Sequence, residues 1–290
     1  MTDPNKTYSL VIVTDLDGSL LDHHTYSHTA ADGMLRRLDE QHTPVILCTS
    51  KTCAEVEQLR LQLDNRHPFI VENGAAVFIP QRYFDQQPAD TIVRGDYWVR
   101  EFCPPRQHWI DLLQQAREKF GDLFENFASM DTARVAELTG LSLEHAARAQ
   151  VRGYGEPLRW FGDSDELKCF SDWFEDRGAR VLRGGRFVHV AGPSDKGRGL
   201  QWLAQRFQQH EPSVDIVTMA LGDGHNDVDM LRCADLAVVI RSPVHEPPTV
   251  DGQPNVYTTS GHGPIGWVEG VEYWLHQLDQ IPNSIITKHR

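Results

Sequence analysis

The chain has 290 residues, 40% hydrophobic and 24% charged, proportions of a globular protein long enough to bury a sizeable core. Its 41 acidic against 28 basic residues leave a formal net charge of −13, which argues against nucleic acid or an anionic membrane surface as the main partner, since both call for a basic footprint. The first ten residues lack a signal-peptide apolar region, no apolar run approaches the ~20 residues of a membrane helix, and the five scattered cysteines show neither zinc-ligand spacing nor a disulfide framework, so the expected compartment is a reducing cytoplasm.

Leu10-Val11-Ile12-Val13-Thr14 is a short apolar run without alternation, which reads as a strand buried on both faces. Residues 27–41 follow with helical spacing, and residues 44–48 give a second buried strand. Residues 52–63 predict a helix opened by a Thr52/Glu55 capping box, and residues 69–71 a third strand. This alternation implies right-handed crossovers and a parallel sheet covered by helices. The middle reads differently, with helices expected at 106–120, 143–152 and 164–177. Two strands are expected at 180–182 and 187–190, around a Gly184-Gly185 hairpin signal. The earlier grammar then returns, with helices at 197–209, 226–233 and 265–278 and strands at 215–221 and 236–240. The expected fold is α/β: a doubly wound, Rossmann-like parallel core in residues 1–85 and 191–290, with an α+β insert at 86–190.

Ligands of open α/β sheets bind beyond the carboxyl ends of the strands. Asp15 and Asp17 stand there, and Gly18 frees the chain to turn. Two carboxylates facing one cleft repel unless a cation or a shared proton compensates, and hard oxygen ligands suit Mg²⁺. One carboxylate can attack a phosphorus centre while the other handles the leaving-group proton. The plain alternative is a solvated Asp-x-Asp-Gly turn. A second strand runs into Gly222-Asp223-Gly224-His225-Asn226-Asp227, where Asn226 or Asp227 can equally serve as a helix cap. Thr49 and Ser50 follow the second strand and can offer a hydroxyl and backbone N–H groups to an anion, or simply cap the next helix. Lys196, at the start of the return half, is either a solvated cation or a point-charge partner for phosphate.

Taken together, Asp15-Leu16-Asp17-Gly18, Thr49, Lys196-Gly197 and Gly222 to Asp227 resemble the haloacid dehalogenase superfamily of phosphotransferases. Glu72-Asn73-Gly74-Ala75, followed by a long insert, resembles its Cof-like branch. Within that branch the chain is similar to the mannosyl-3-phosphoglycerate phosphatases, through Asp15 to Tyr26, Thr49-Ser50-Lys51-Thr52, Glu156-Pro157 and Gly185-Arg186-Phe187. Thr49-Ser50-Lys51 stands where other Cof-like chains read Thr-Gly-Arg, so either Thr49 or Ser50 is the phosphate contact. The resemblance implies that Asp15 is the nucleophile and forms an aspartyl-phosphate, with Asp17 as general acid and base. It implies Mg²⁺ on Asp15, Asp223 and the Asp17 backbone carbonyl, with Asp227 supporting or joining the set. Thr49, Ser50, Lys196 and Asn226 then bind phosphate. The implied reaction is hydrolysis of mannosyl-3-phosphoglycerate to mannosylglycerate and phosphate. Broader sugar-phosphate hydrolysis, phosphomutase chemistry or an idle binding protein are the alternatives. Arginine suits a substrate carboxylate, and Arg152 and Arg186 are the candidates in the insert. Trp98, Trp109, Trp160 and Trp173 are either sugar-stacking surfaces or core.

Overall fold

The computed structural model describes residues 8–184 and 186–280. Gly185, second residue of the expected hairpin turn, lies outside them, as do the first seven residues. In chain order the elements begin with β1 (Tyr8–Thr14), α1 (Asp32–Glu40), β2 (Val45–Cys48), α2 (Cys53–Gln62), β3 (Phe69–Val71) and β4 (Ala76–Pro80). They continue with β5 (Ile92–Arg94), β6 (Tyr97–Glu101), α3 (Arg106–Phe120), β7 (Phe124–Asn126), α4 (Thr132–Thr139), α5 (Leu143–Gln150), β8 (Gly155–Trp160) and α6 (Ser164–Glu175). After these come β9 (Arg180–Gly184), β10 (Phe187–Ala191), α7 (Lys196–His210), β11 (Asp215–Gly222), α8 (Val228–Cys233), β12 (Leu236–Arg241), β13 (Val256–His262) and α9 (Gly263–Gln280). None of the described helices is long and apolar enough to cross a membrane.

The chain forms two compact units. One comprises Met1–Thr49, Arg66–Arg100 and Asp195–Arg290, and the other Ser50–Asn65 and Glu101–Ser194. In the first unit a sheet runs in the order β13-β12-β11-β1-β2-β3-β4-β6-β5. From β13 to β3 every pairing is parallel, with Tyr8 to Thr14 of β1 in register with Asp215 to Leu221 of β11. A strand flanked on both sides by parallel neighbours has no solvated face, which is why β1 reads as an unbroken apolar run. Val11, Ile12 and Val13 are buried accordingly.

The sheet is therefore mainly parallel, and it extends further than the apolar runs predict. β4 turns back antiparallel on β3, and β5 and β6 form an antiparallel hairpin. β5 is exposed along its length and β13 is largely so, and neither carries the apolar run by which a buried strand is recognised. The helix expected over 27–41 is divided into a 3₁₀ turn at Thr29–Ala31 and the shorter α1. Likewise a 3₁₀ turn at His225–Asp227 precedes α8.

In the second unit an antiparallel sheet runs β7-β8-β10-β9. Two of its four strands escape the sequence reading. β7 is only three residues long, and β8 contains Pro157, a residue that argues against a strand interior. Trp109, Leu113, Phe120, Phe124, Leu158, Phe170, Phe174, Val188 and Val190 form the core against this sheet. Trp109 is thus a core residue and not a sugar platform, its indole N–H donating to the Tyr154 carbonyl at 2.8 Å. Trp160 and Trp173 pack half-buried against the same cluster.

Glu156 is wholly buried in this unit. It pairs with Arg106, accepts from Asn126 Nδ2 at 3.0 Å and from the Ala128 amide at 2.7 Å. Truncating one member of a buried, hydrogen-bonded charge pair leaves the other uncompensated. Glu156→Ala is expected to destabilise this unit by about 3–5 kcal/mol, read as a lowered urea midpoint.

Candidate active site

β1 and β11 are adjacent and parallel, so their carboxyl ends deliver two acidic loops to one place. Asp15 follows β1 directly, and its amide donates to the Leu221 carbonyl at 2.8 Å. Behind it, the Trp267 indole N–H donates to Thr14 Oγ1 at 2.9 Å, and that hydroxyl donates to the Asp15 carbonyl at 2.7 Å. The nucleophile candidate is thereby tied through its backbone to β11 and to α9. Gly18 has φ +78° and lies so close to the Asp223 carboxylate that a Cβ would overlap it. Glycine is required there for both conformation and space.

Lys196 is completely buried. Its Nζ donates to Asp15 Oδ1 at 2.5 Å and to Asp227 Oδ1 at 2.6 Å. Burial alone would lower its pKa, but Asp15 and Asp227 outweigh that and hold it above the ordinary lysine range. The solvated-lysine alternative is excluded. Asp227 is also fully buried, and its Oδ2 accepts from the Asp223 and Gly224 amides at 3.1 and 2.9 Å. It closes its own loop and pairs with Lys196 at once, and although it stands at the N-cap position of α8 its side chain makes no cap hydrogen bond there.

Asp15, Asp223 and Asp227 each present a carboxylate oxygen within 4.8 Å of the others, all three buried. One ammonium faces three carboxylates. Burial first, then the Asp227 charge, pushes Asp15 up to about 8 despite Lys196. Asp223 is raised too, by burial and then by Asp227, with His245 and Lys196 opposing. An all-oxygen donor set with excess negative charge out of water fits a hard divalent cation.

Thr49 is fully buried, its amide donating to the Ile70 carbonyl at 3.0 Å. It does not cap α2. Thr52 does, through the expected capping box with Glu55. Ser50 is exposed and belongs to the second unit, where its carbonyl accepts from Arg152 Nη2 at 3.4 Å. Asp17 is half-buried, and Asn226 is exposed with its Nδ2 donating to Asn73 Oδ1 at 3.3 Å. Arg186, also in the second unit, is exposed and donates to the Thr139 carbonyl at 2.6 Å. Asp15, Lys196, Asp223 and Asp227 are therefore brought into one cluster within the first unit. The bonds from Arg152 to Ser50 and from Arg186 to Thr139 lie within the second.

One neighbour of this cluster is invisible in the sequence. His245 places Nε2 3.3 Å from Asp223 Oδ2, from an irregular segment after β12 whose prolines and histidine carry no motif. Trp267 is equally silent, because a tryptophan in an apolar helix reads as core.

Residues 12–93 match the family described as haloacid dehalogenase-like hydrolase, and residues 179–275 that described as sucrose-6F-phosphate phosphohydrolase. The chain is 36% identical over 264 residues to a glucosyl-3-phosphoglycerate/mannosyl-3-phosphoglycerate phosphatase of Methanococcoides burtonii, covering 89% of this chain and 94% of that one. A protein of the same name from Persephonella marina is 32% identical, over 93% and 99% of the two chains. Among solved structures, a haloalkanoate-superfamily phosphatase of Bacteroides thetaiotaomicron superposes with a TM-score of 0.63 at 18% identity, over 97% of this chain and 99% of that one, a likeness of fold. With three of its motif segments converging on one buried acidic cluster, the chain belongs to the haloacid dehalogenase superfamily of phosphatases, in the branch that includes the glucosyl-3-phosphoglycerate/mannosyl-3-phosphoglycerate phosphatases.

Proposed function

We propose that the protein is a Mg²⁺-dependent phosphomonoesterase that works through an aspartyl-phosphate on Asp15 and hydrolyses a sugar-3-phosphoglycerate. The observation that carries the chemistry is the buried grouping of Asp15, Lys196, Asp223 and Asp227. Asp15, Asp223 and the Asp17 backbone carbonyl would hold the cation, with Asp227 completing or supporting the set. When bound, Mg²⁺ supplies positive charge to the phosphoryl oxygens and to the crowded carboxylates.

An Asp15 carboxylate oxygen attacks phosphorus, and the ester P–O bond breaks. Asp17 gives its proton to the departing alkoxide. In the second half Asp17 takes a proton from water, whose oxygen attacks phosphorus and releases inorganic phosphate and the free Asp15 carboxylate. Lys196 holds one Asp15 oxygen in place and, with Thr49 and Asn226, supplies fixed donors to the equatorial oxygens where charge develops. Ser50 is the alternative to Thr49 for the phosphate contact. The second unit selects the substrate, and Arg152 and Arg186 are its candidates for the glycerate carboxylate.

The substrate assignment draws on the names of the two relatives, and mannosyl-3-phosphoglycerate to mannosylglycerate is the specific reaction proposed. A phosphate-release screen with Mg²⁺ over mannosyl- and glucosyl-3-phosphoglycerate and simple hexose phosphates tests it. The expected result is a kcat/KM for the phosphoglycerates at least about 100-fold above that for hexose phosphates, since sites built to pair a polar group reject substrates lacking it. Equal rates would leave the chemistry standing and remove the substrate, in favour of a general sugar phosphatase.

A further inference from the structure

The turn joining β3 to β4 holds three successive left-handed residues, the longest such run among the described residues. Glu72, Asn73 and Gly74 take φ of +48°, +57° and +88° in succession. Left-handed backbone is free for glycine and costly for other residues, asparagine being among the more tolerant. Such conformations persist only where their surroundings over-determine them, and they cluster at functional sites.

The surroundings here are three of the four site segments. The Asn73 amide donates to the Thr49 carbonyl at 2.9 Å. Asn73 Oδ1 accepts from Asn226 Nδ2 at 3.3 Å, across 153 residues of sequence. Gly74 lies against the Asp195 carbonyl and the Lys196 amide so closely that a Cβ would overlap them. Turning the Asn226 carboxamide over would set its carbonyl oxygen against Asn73 Oδ1. The bond to Asn73 engages one N–H of Asn226 Nδ2 and leaves the other free to donate elsewhere.

We propose that Asn73 is a positioning residue for the phosphate pocket, its side chain orienting Asn226 and its backbone N–H holding the Thr49 carbonyl. This rests on the reading that Asn226 and Thr49 bind the transferred phosphate. Asn73 touches neither phosphate nor the reacting atoms and acts through those two residues.

Asn73→Gly tests it, because glycine keeps the left-handed backbone and the bond to Thr49 while deleting Oδ1. With Mg²⁺ present, the Kd of inorganic phosphate measured by titration calorimetry is expected to rise about fivefold, the equivalent of one ordinary hydrogen bond. KM for p-nitrophenyl phosphate should rise with it, and the thermal midpoint should stay near that of the wild type. Asn73→Ala separates strain from positioning: it should lower the thermal midpoint further while weakening phosphate no more than glycine does. In a double-variant cycle, Asn73→Gly added to Asn226→Ala should cause no further loss. Wild-type phosphate affinity in Asn73→Gly, or a full additive loss in the double variant, overturns the proposal while leaving the phosphatase reading intact. If Asn226→Ala itself binds phosphate like the wild type, Asn226 is not a phosphate ligand and both readings of these residues fall.

Discussion

Asp15→Asn is expected to slow Mg²⁺-dependent phosphate release by at least about 10³-fold, the scale on which loss of a covalent nucleophile is felt. A carboxamide oxygen is a poor nucleophile, and no other described carboxylate takes the place of Asp15 directly after β1. The fold should not suffer. The carboxamide oxygen of the variant can still accept from Lys196, and the change removes a buried carboxylate that burial and Asp227 already push up to about 8. The thermal midpoint is therefore expected to equal or exceed that of the wild type. Phosphate-release assays beside thermal unfolding separate the two effects. Full activity in a folded Asp15→Asn protein would rule out a covalent mechanism on this residue.

Lys196→Met should behave in the opposite way, losing activity and stability together. Lys196 is the ammonium that faces Asp15 and Asp227, at 2.5 and 2.6 Å, with no solvent exposure. Methionine fills similar space but leaves two buried carboxylates without their partner. Removing one member of such a group costs about 3–5 kcal/mol. Loss of its proposed donation to phosphate should lower kcat by about 10²-fold or more. Added Mg²⁺ should restore part of the lost stability, because a ligand that binds only the folded state stabilises it by mass action. Chemical denaturation with and without Mg²⁺ checks this. A Lys196→Met protein as stable as the wild type would mean that the carboxylates do not depend on the ammonium.

The legible parts of this protein are those in which one local rule decides. Val11, Ile12 and Val13 read as a doubly covered strand because a central parallel position demands unbroken apolar residues. Thr52 and Glu55 announce a helix start, since a capping box is local in sequence. The site residues Asp15, Lys196, Asp223 and Asp227 can be picked out because each follows a strand or opens a helix, where a charge has no packing reason to stand. What escapes is decided by distant neighbours. β13 is a strand because β12 offers it an edge, not because Val256 to His262 is apolar. His245 meets Asp223 through the path of an irregular loop, and Trp267 reaches Thr14 across 253 residues. Pro157 reads as a strand breaker, yet β8 runs through it beside a carboxylate buried among Arg106, Asn126 and Ala128. Glu72 and Asn73 take left-handed backbone without the glycine that would signal it, because Thr49, Asn226 and Asp195 hold the turn from outside.

The pairing of β1 with β11 also bears on how the protein comes into being. Its strand register joins Tyr8 to Asp215, so the ladder that positions Asp15 closes a loop spanning most of the chain. Contacts so far apart in sequence form slowly, after the entropy of closing that loop has been lost. During synthesis Asp15 emerges well before Lys196, Asp223 and Asp227, none of which exists until the second unit has been made. Trp267 comes later still. Until then Asp15 has Asp17 beside it but neither the Lys196 ammonium, the Asp223 and Asp227 carboxylates nor the Trp267 brace. The cluster on which the proposed chemistry rests is complete only with the return half.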